Sequence, residues 1–528
     1  MPRPTFQIPF LLCLTQICSS LNVSISLNAP QTAVSVSPSL LSFSIEQDRW
    51  TDWVGTTSRN EFFFNALDNY KQLTGEPPQI RIGANSEDHT NFNPNVEFAQ
   101  LIFPAPSATV PYPEATNITV GDGYYATAKF LPPNTHVIWG LNLGQNNITS
   151  AFLNAKSLVK AFASPAIKDA GIKLDAIQIG NEADLYMNNG ARPRTYNVTQ
   201  YVKEWIAFAT NVTAAVNLTP SSPTKLWGAG FAGSSHSTTG FSPQAIFEHG
   251  ILASTPGSLV STISQHRYSG SFCSGSAGLL QDLMTKSTIR GNLSSFTPDI
   301  AVVRAKGLDY VLGETNSYSC HGAPGVSNTA GAALWTLDYL LFATQIGISR
   351  VFFHEGIGFK YNLIQPATLT RSILDGSPLP SPLAPHIQPQ YYAAIIAAEA
   401  IGSTGTTRAV ELTISHSRVA GYAFYEGGTL VRALLINSQA FFVGDTQRES
   451  IHVDLGFLPT GANPRLPRTM DVKRLSIPHA EDTTGLRWGG QTYETSDARV
   501  SGELKVDRID IANGVDIQGT EAVLLHFD

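Results

Sequence analysis

Two short stretches carry residues that could do chemistry. "IQIGNEADLY" (177–186) and "YVLGETNSY" (310–318) are apolar runs that break at a glycine and then present a glutamate, Glu182 in one and Glu314 in the other. A carboxylate closing a buried run is costly unless its charge is needed. Two carboxylates about 5–5.5 Å apart can cleave a glycoside with retention, one as nucleophile and one as proton donor. Their mutual repulsion raises one pKa, so that one stays protonated while the other is ionised. Other apolar runs also end in polar residues: Arg81 followed by Asn85, Glu87, Asp88 and His89; Asn142; Gln265-His266-Arg267-Tyr268; and His354-Glu355. Any one of these reads equally well as a solvated strand end. Their recurrence favours a shared site.

The elements that must position these residues follow from the same runs. Eight Val/Ile/Leu-rich segments (40–46, 78–86, 135–144, 174–182, 224–233, 260–270, 308–317 and 348–356) are separated mostly by longer segments of helical character. That rhythm predicts a (β/α)8 TIM barrel, in which the C-terminal ends of all the strands face one site. The first run ends in "SIEQDRW", unlike the glycine-rich phosphate loop of an open doubly wound sheet. Runs four and seven face each other across such a barrel. After Ala400 strand alternation takes over, and residues 22–38 alternate too. The expected organisation is a signal peptide over 1–20, an N-terminal strand segment over 21–39 joining the C-terminal β domain, a catalytic barrel over 40–387 and an antiparallel β-sandwich over 388–528.

Composition sets the limits. The 528 residues are 42% hydrophobic and 14% charged, enough for a large core and against global disorder. A net charge of −7 and the lack of basic runs argue against a nucleic-acid or polyanion partner. The segment "MPRPTFQIPFLLCLTQICSS" reads as a secretory signal, and sequons at Asn117, Asn147, Asn197, Asn211 and Asn292 fit a secreted glycoprotein. Of four cysteines, Cys13 and Cys18 fall in that signal, which leaves Cys273 and Cys320 to form one disulfide or remain as two thiols. No further segment reads as a membrane span. Adjacent residues on a strand point to opposite faces, so His354 and Glu355 cannot share a metal ion, and no HExxH spacing occurs. No metal or other cofactor is expected, and the protein is expected to be a monomer.

The ordered set "RIGANSED", "GLNLG", "IGNEADLY", "QHRYSG" and "LGETNSYSCHGAPGVS" resembles glycoside hydrolase family 79, the β-glucuronidase and heparanase family among the retaining clan A glycosidases. The motifs span about residues 80–365, and the β-rich tail fits that family's barrel-plus-sandwich layout. The resemblance implies Glu182 as acid/base, Glu314 as nucleophile, Asn181 on the sugar 2-hydroxyl, Asp88 on other sugar hydroxyls and Tyr268 as a donor to the nucleophile. It implies that Tyr318, Gly322, Ala323 and Tyr361 bind the uronate carboxylate. Arg81, Asn142 and His266, at strand ends, are read as supporting residues, Arg81 equally well as a barrel-layer salt bridge. "NSYSCHGAPG" departs from the family by placing Tyr318 four residues after Glu314 and inserting Ser319-Cys320-His321. The function implied is secreted exo-β-glucuronidase action on glycans or glycosides ending in glucuronic or 4-O-methylglucuronic acid. The alternatives are a heparanase-like endo-enzyme, a clan A glycosidase for neutral sugars, or a carbohydrate-binding protein that has lost catalysis.

Overall fold

The computed structural model describes residues 20–458 and 466–528. The expected signal segment lies outside the described residues apart from Ser20. Eight strands close into a barrel, each parallel to its neighbours: β1 (Leu41–Glu46), β2 (Ile80–Gly83), β3 (His136–Leu141), β4 (Lys173–Ile179), β5 (Lys225–Phe231), β6 (Val260–Ser271), β7 (Asp309–Ser319) and β8 (Arg350–Glu355). The eight apolar runs of the sequence are these eight strands. Ile138, Ala176, Trp227, Val311 and Phe352 form a buried cluster of inward-facing side chains, with Trp227 meeting Phe352 edge-on at 5.2 Å. That plug fills the barrel below the polar residues at the strand ends.

Crossover helices surround the barrel and start where the sequence provides caps. Asn60, Asn147, Asn197 and Thr329 accept from the first-turn N–H groups of helices Glu61–Thr74, Ile148–Phe162, Val198–Val216 and Ala330–Gln345. Helix Ala330–Gln345 is buried almost all round, because the C-terminal domain packs on its outer face. Asp338 satisfies the hydroxyl of Tyr422 (2.6 Å) and pairs with Arg290 (2.5 Å) across that junction.

One boundary shifts. Residues 388–407 do not join the β domain: helix Gln390–Ile401 packs against helices Ala330–Gln345 and Glu61–Thr74 and completes the helical layer after β8. Its apolar residues lack strand alternation because it is covered on all sides. The β domain proper begins at Arg408–Glu411 and consists of an eight-stranded sheet and a three-stranded sheet around their own core. The N-terminal strand Ser20–Ser26 pairs in parallel with Ser450–Leu458, and Val34–Ser35 pairs with Arg408–Glu411, so the start of the chain is built into its last domain.

The two Pro-rich stretches are also structured. The loop after β2 holds a small sheet of Thr90–Phe92, Ala99–Ile102 and Asn117–Val120. The segment after β8 forms a hairpin of Leu369–Arg371 with Pro378–Leu383. No helix among the described residues is long and apolar enough to cross a membrane.

Ile25 is fully buried between the two β sheets. Ile25→Ala should therefore cost about 2–4 kcal/mol of stability, the range for such truncations, read from the denaturant midpoint. A change below about 0.5 kcal/mol would mean that the N-terminal strand is not part of the folded core.

Candidate active site

The shared Gly–Glu pattern has a different cause on each strand. After β4, Gly180 takes φ +79° and Glu182 itself sits left-handed at φ +49°, ψ +47°. A non-glycine residue held there costs on the order of 1 kcal/mol. The Glu182 N–H donates to the Gly230 carbonyl at 2.7 Å, which fixes the turn. On β7, Gly313 is the extra residue of a bulge: Leu312 pairs with Gln265, but Glu314 pairs with His266. A Cβ on Gly313 would fall 2.0 Å from the Ser264 hydroxyl. The bulge re-aims Glu314 into the barrel mouth.

Arg81, fully buried on β2, is the hub. Its Nε donates to Gln178 (3.0 Å), Nη1 to Ser44 (2.7 Å) and Glu314 (2.9 Å), and Nη2 to Asn181 (2.8 Å). Glu87 lies 3.5 Å from Nη2. The Glu87 carboxyl fits only because Gly140 leaves room, since a Cβ there would come within 1.8 Å of it. The Tyr268 hydroxyl donates to the other Glu314 oxygen at 2.9 Å. His266 Nδ1 stands between the two glutamates, 3.0 Å from Glu182 and 3.9 Å from Glu314. One oxygen of Glu182, one of Glu314 and a His266 nitrogen all lie within 4.8 Å of one another. That separation matches a pair that reacts directly with the sugar carbon, and is shorter than the ~6.5–9.5 Å needed to seat a water between the carboxyls.

The charges divide unequally. Burial, then the carboxylates of Glu314 and Asp184, push the Glu182 carboxyl well above the usual range. Burial acts the same way on Glu314, but His354, His266 and Arg81 with the Tyr268 donor more than reverse it, to about 2. Burial drives the His266 imidazole down to about 4, so it is neutral near pH 7. The surroundings therefore drive Glu182 toward its protonated form and Glu314 toward its carboxylate. The same three groups could in principle hold a cation, but a divalent ion would require Glu182 to lose that proton.

Comparison with known proteins covers most of the chain. The model of the glycosyl hydrolase family 79 C-terminal beta domain matches residues 421–524. A beta-glucuronidase of Aspergillus niger is 29% identical over 499 residues, covering 90% of this chain and 86% of that protein. A beta-glucuronidase of Neurospora crassa is 27% identical over 508 residues, covering 90% and 88%. Residues 421–524 thus match a family 79 C-terminal domain, and the chain is similar to two β-glucuronidases over nine-tenths of its length. In fold, the chain is similar to a 4-O-alpha-L-rhamnosyl-beta-D-glucuronidase of Fusarium oxysporum 12S, with TM-score 0.74 and 22% identity over 96% of this chain and 100% of that one.

Several residues singled out in the sequence sit elsewhere than expected in this site. Asp88 has no acceptor position left for a sugar: Oδ1 takes the N–H groups of Leu143 and Gly144 (2.8 and 2.7 Å), and Oδ2 takes the Tyr186 hydroxyl and the Asn181 N–H (2.7 and 3.3 Å). It positions Asn181 instead. Asn142 donates to the Asn147 carbonyl (3.4 Å) and steadies the turn into the next helix. The expected carboxylate cradle is also occupied from within. The Gly322 N–H donates to the Tyr318 carbonyl and the Ala323 N–H to the Ser327 hydroxyl. Tyr318 lies against Gly270, near the end of β6, and Gly278 of the loop after it. Tyr361 does reach the site, its ring 6.1 Å from that of Tyr268. Cys273 and Cys320 form a disulfide that ties the loops after β6 and β7 together. His354 and Glu355 diverge, His354 toward Glu46 and Glu355 toward the backbone of Leu363 and Ile364.

Three groups near the site were not singled out for it, Glu46, Glu114 and His321, and His354 was noted only as a polar strand end. Glu46 and His354 end the first and eighth runs, a visible signal. Glu114 lies in a Pro-rich loop and reaches His321 (2.8 Å) only through the fold.

Removing Arg81 should leave Glu314 and Glu87 buried without their cation. Arg81→Met should cost about 3–5 kcal/mol of stability. Arg81→Lys keeps the charge but loses the fork, and should fold while losing at least ~10² in kcat/KM. Wild-type kinetics in Arg81→Lys would show that a point charge suffices.

Proposed function

We propose that this protein is a secreted, retaining exo-β-glucuronidase. The observation that carries the chemistry is the pair of carboxyls with oxygens within 4.8 Å, one held ionised and the other protonated. The uronate preference is supported by the two β-glucuronidases that match 90% of the chain. Glu314 attacks the anomeric carbon while Glu182 protonates the departing glycosidic oxygen, giving a glycosyl ester on Glu314. Esterification removes the charge that helped to raise the Glu182 pKa, so Glu182 can then take a proton from water. The water attacks the anomeric carbon and Glu314 leaves as a carboxylate. Tyr268 and Arg81, both donating to Glu314, stabilise it as attacking and leaving anion.

An exo mode is supported by a wall on one side of the mouth. Segment 109–115 is stitched across the ends of β1, β7 and β8. The Ala115 N–H donates to Asp48 (2.7 Å), His321 pairs with Glu114 (2.8 Å), and Lys360 Nζ donates to the Thr109 carbonyl (3.2 Å). The Tyr112 hydroxyl takes the N–H groups of Thr370 and Arg371 (2.9 and 2.8 Å), joining this segment to the hairpin after β8. An endo-enzyme must leave such a side open for the continuing chain. Secretion is supported by the disulfide, and by the exposure of Asn117, Asn147, Asn197 and Asn211.

The test is hydrolysis of an aryl β-glucuronide and the matching β-glucoside, followed by NMR from the first turnover. Cleavage of the glucuronide alone, with the β-anomer formed first, is expected. A glucoside preference would remove the uronate reading, and an α-anomer formed first would remove the double displacement. Glu314→Ala should lose at least ~10⁴ in kcat, with azide restoring turnover as the α-glycosyl azide. Glu182→Ala should lose far more rate on poor leaving groups than on activated ones; equal losses would exclude it as the acid.

A further inference from the structure

A cavity of about 350 Å³ opens next to Asn181, between the loops after β2, β3 and β4. That volume lies within the ~300–1,000 Å³ of small-molecule sites. The wall of segment 109–115 crosses β1, β7 and β8, so the cavity lies on another side of the mouth. Two buried charged residues fasten its loops. Asp88, after β2, takes the N–H groups of Leu143 and Gly144 after β3, and the Asn181 N–H and Tyr186 hydroxyl after β4. Arg192 donates to the Gly144 and Leu143 carbonyls (2.8 and 2.9 Å) and pairs with Glu204 (3.0 Å). The cavity is therefore formed before anything enters it, which lowers the cost of binding.

The groups left free along its lining are of another kind. Asn85, Gln145, Asn181 and Asn189 are amides, and no lysine or arginine lines the space. The Asn181 oxygen accepts from Arg81, and its amide nitrogen gives one hydrogen to Asn85 (3.4 Å), which leaves the other. Asn189 accepts from the Ala191 N–H and keeps both amide hydrogens. The Gln145 amide and the His89 ring have no hydrogen-bond partner among the described residues.

We propose that this cavity is a subsite for a neutral sugar joined to the glucuronosyl unit, either as its leaving group or as a substituent on the uronate. The inference rests on the glucuronidase reading of the adjoining carboxyls. Asn181 is the residue before Glu182, so the cavity adjoins the strand end that presents the acid. An amide side chain both donates and accepts, as a sugar hydroxyl does, so converging amides match a polyol without charge. An apolar group in the same space would leave those amides unpaired. A second uronate or a sulfate ester would bring an anion to a lining without lysine or arginine. The wall closes one side of the mouth, and the cavity receives a sugar on another.

The test compares kcat/KM on three kinds of substrate: phenyl β-glucuronide, β-glucuronosyl disaccharides with glucose or galactose as the leaving group, and phenyl β-glucuronides carrying glucose or galactose on the 4-hydroxyl. Wild type is set against Gln145→Ala, which removes the amide, and Gln145→Trp, which fills the space. Gln145 is partly exposed and unpartnered, so both variants should keep the wild-type thermal midpoint. Measured relative to phenyl β-glucuronide, at least one sugar-bearing kind should lose about 2–10-fold in Gln145→Ala, as for one hydrogen bond. The same kind should lose more in Gln145→Trp. A loss confined to sugar leaving groups assigns the cavity to the leaving side, and a loss confined to 4-substituted glucuronides assigns it to a substituent on the uronate. Equal losses on all three kinds, or no loss in either variant, would overturn the subsite. If wild type cleaves none of the three, the glucuronidase reading falls instead. Saturation-transfer NMR with methyl glucoside and methyl galactoside then decides the cavity. A transfer signal that disappears in Gln145→Trp supports a neutral-sugar site; no signal in wild type, or an unchanged one in the variant, overturns it.

Discussion

The contact between Arg81 and Glu314 is the constraint on which the mouth of the barrel depends. A carboxylate this deeply buried is not tolerated alone, and the guanidinium beside it would be equally costly without partners. Arg81 uses its planar fork to reach Glu314, Ser44, Gln178 and Asn181 at once. Three strands, β1, β4 and β7, are thereby registered against β2 by one side chain, and the two glutamate-bearing strands are both among them. A lysine could supply the charge but not the geometry.

Around that contact the charges are arranged to differ. Glu182 and Glu314 are close enough to repel, and the cations lie on the Glu314 side. Arg81 and His354 act on Glu314, whereas Glu182 has a histidine that burial keeps neutral near pH 7. Two chemically identical side chains therefore hold different protonation states because their surroundings differ. The strained left-handed turn at Glu182 and the bulge at Gly313 bring the carboxyls to this separation.

Much of the fold was legible because it rests on local patterning. Eight apolar runs and their polar ends are one-dimensional signals, and each run became the strand it predicts. Helix Gln390–Ile401 was not legible: buried on every face, it carries no polar stripe to set it apart from the β domain that follows. Within the site, Glu182, Glu314, Asn181, Arg81, His266 and Tyr268 stand where strand ends place them. Asp88 was misread because sequence cannot show that four backbone and side-chain donors already saturate its carboxylate. Gly322 and Ala323 were misread for the same reason, their N–H groups being taken up within the loop. Glu114 and His321 lie 207 residues apart, and only the closed barrel brings them together.

The division of labour between the two glutamates is tested most directly by trapping the intermediate. A 2-deoxy-2-fluoro-β-glucuronyl fluoride should slow hydrolysis of the ester more than its formation, so that a labelled enzyme accumulates. Intact mass should show one glycosyl group added, and peptide mapping should place it on Glu314. A label on Glu182 or on another residue, or steady turnover of the reagent by an enzyme that is never labelled, would contradict a nucleophilic Glu314.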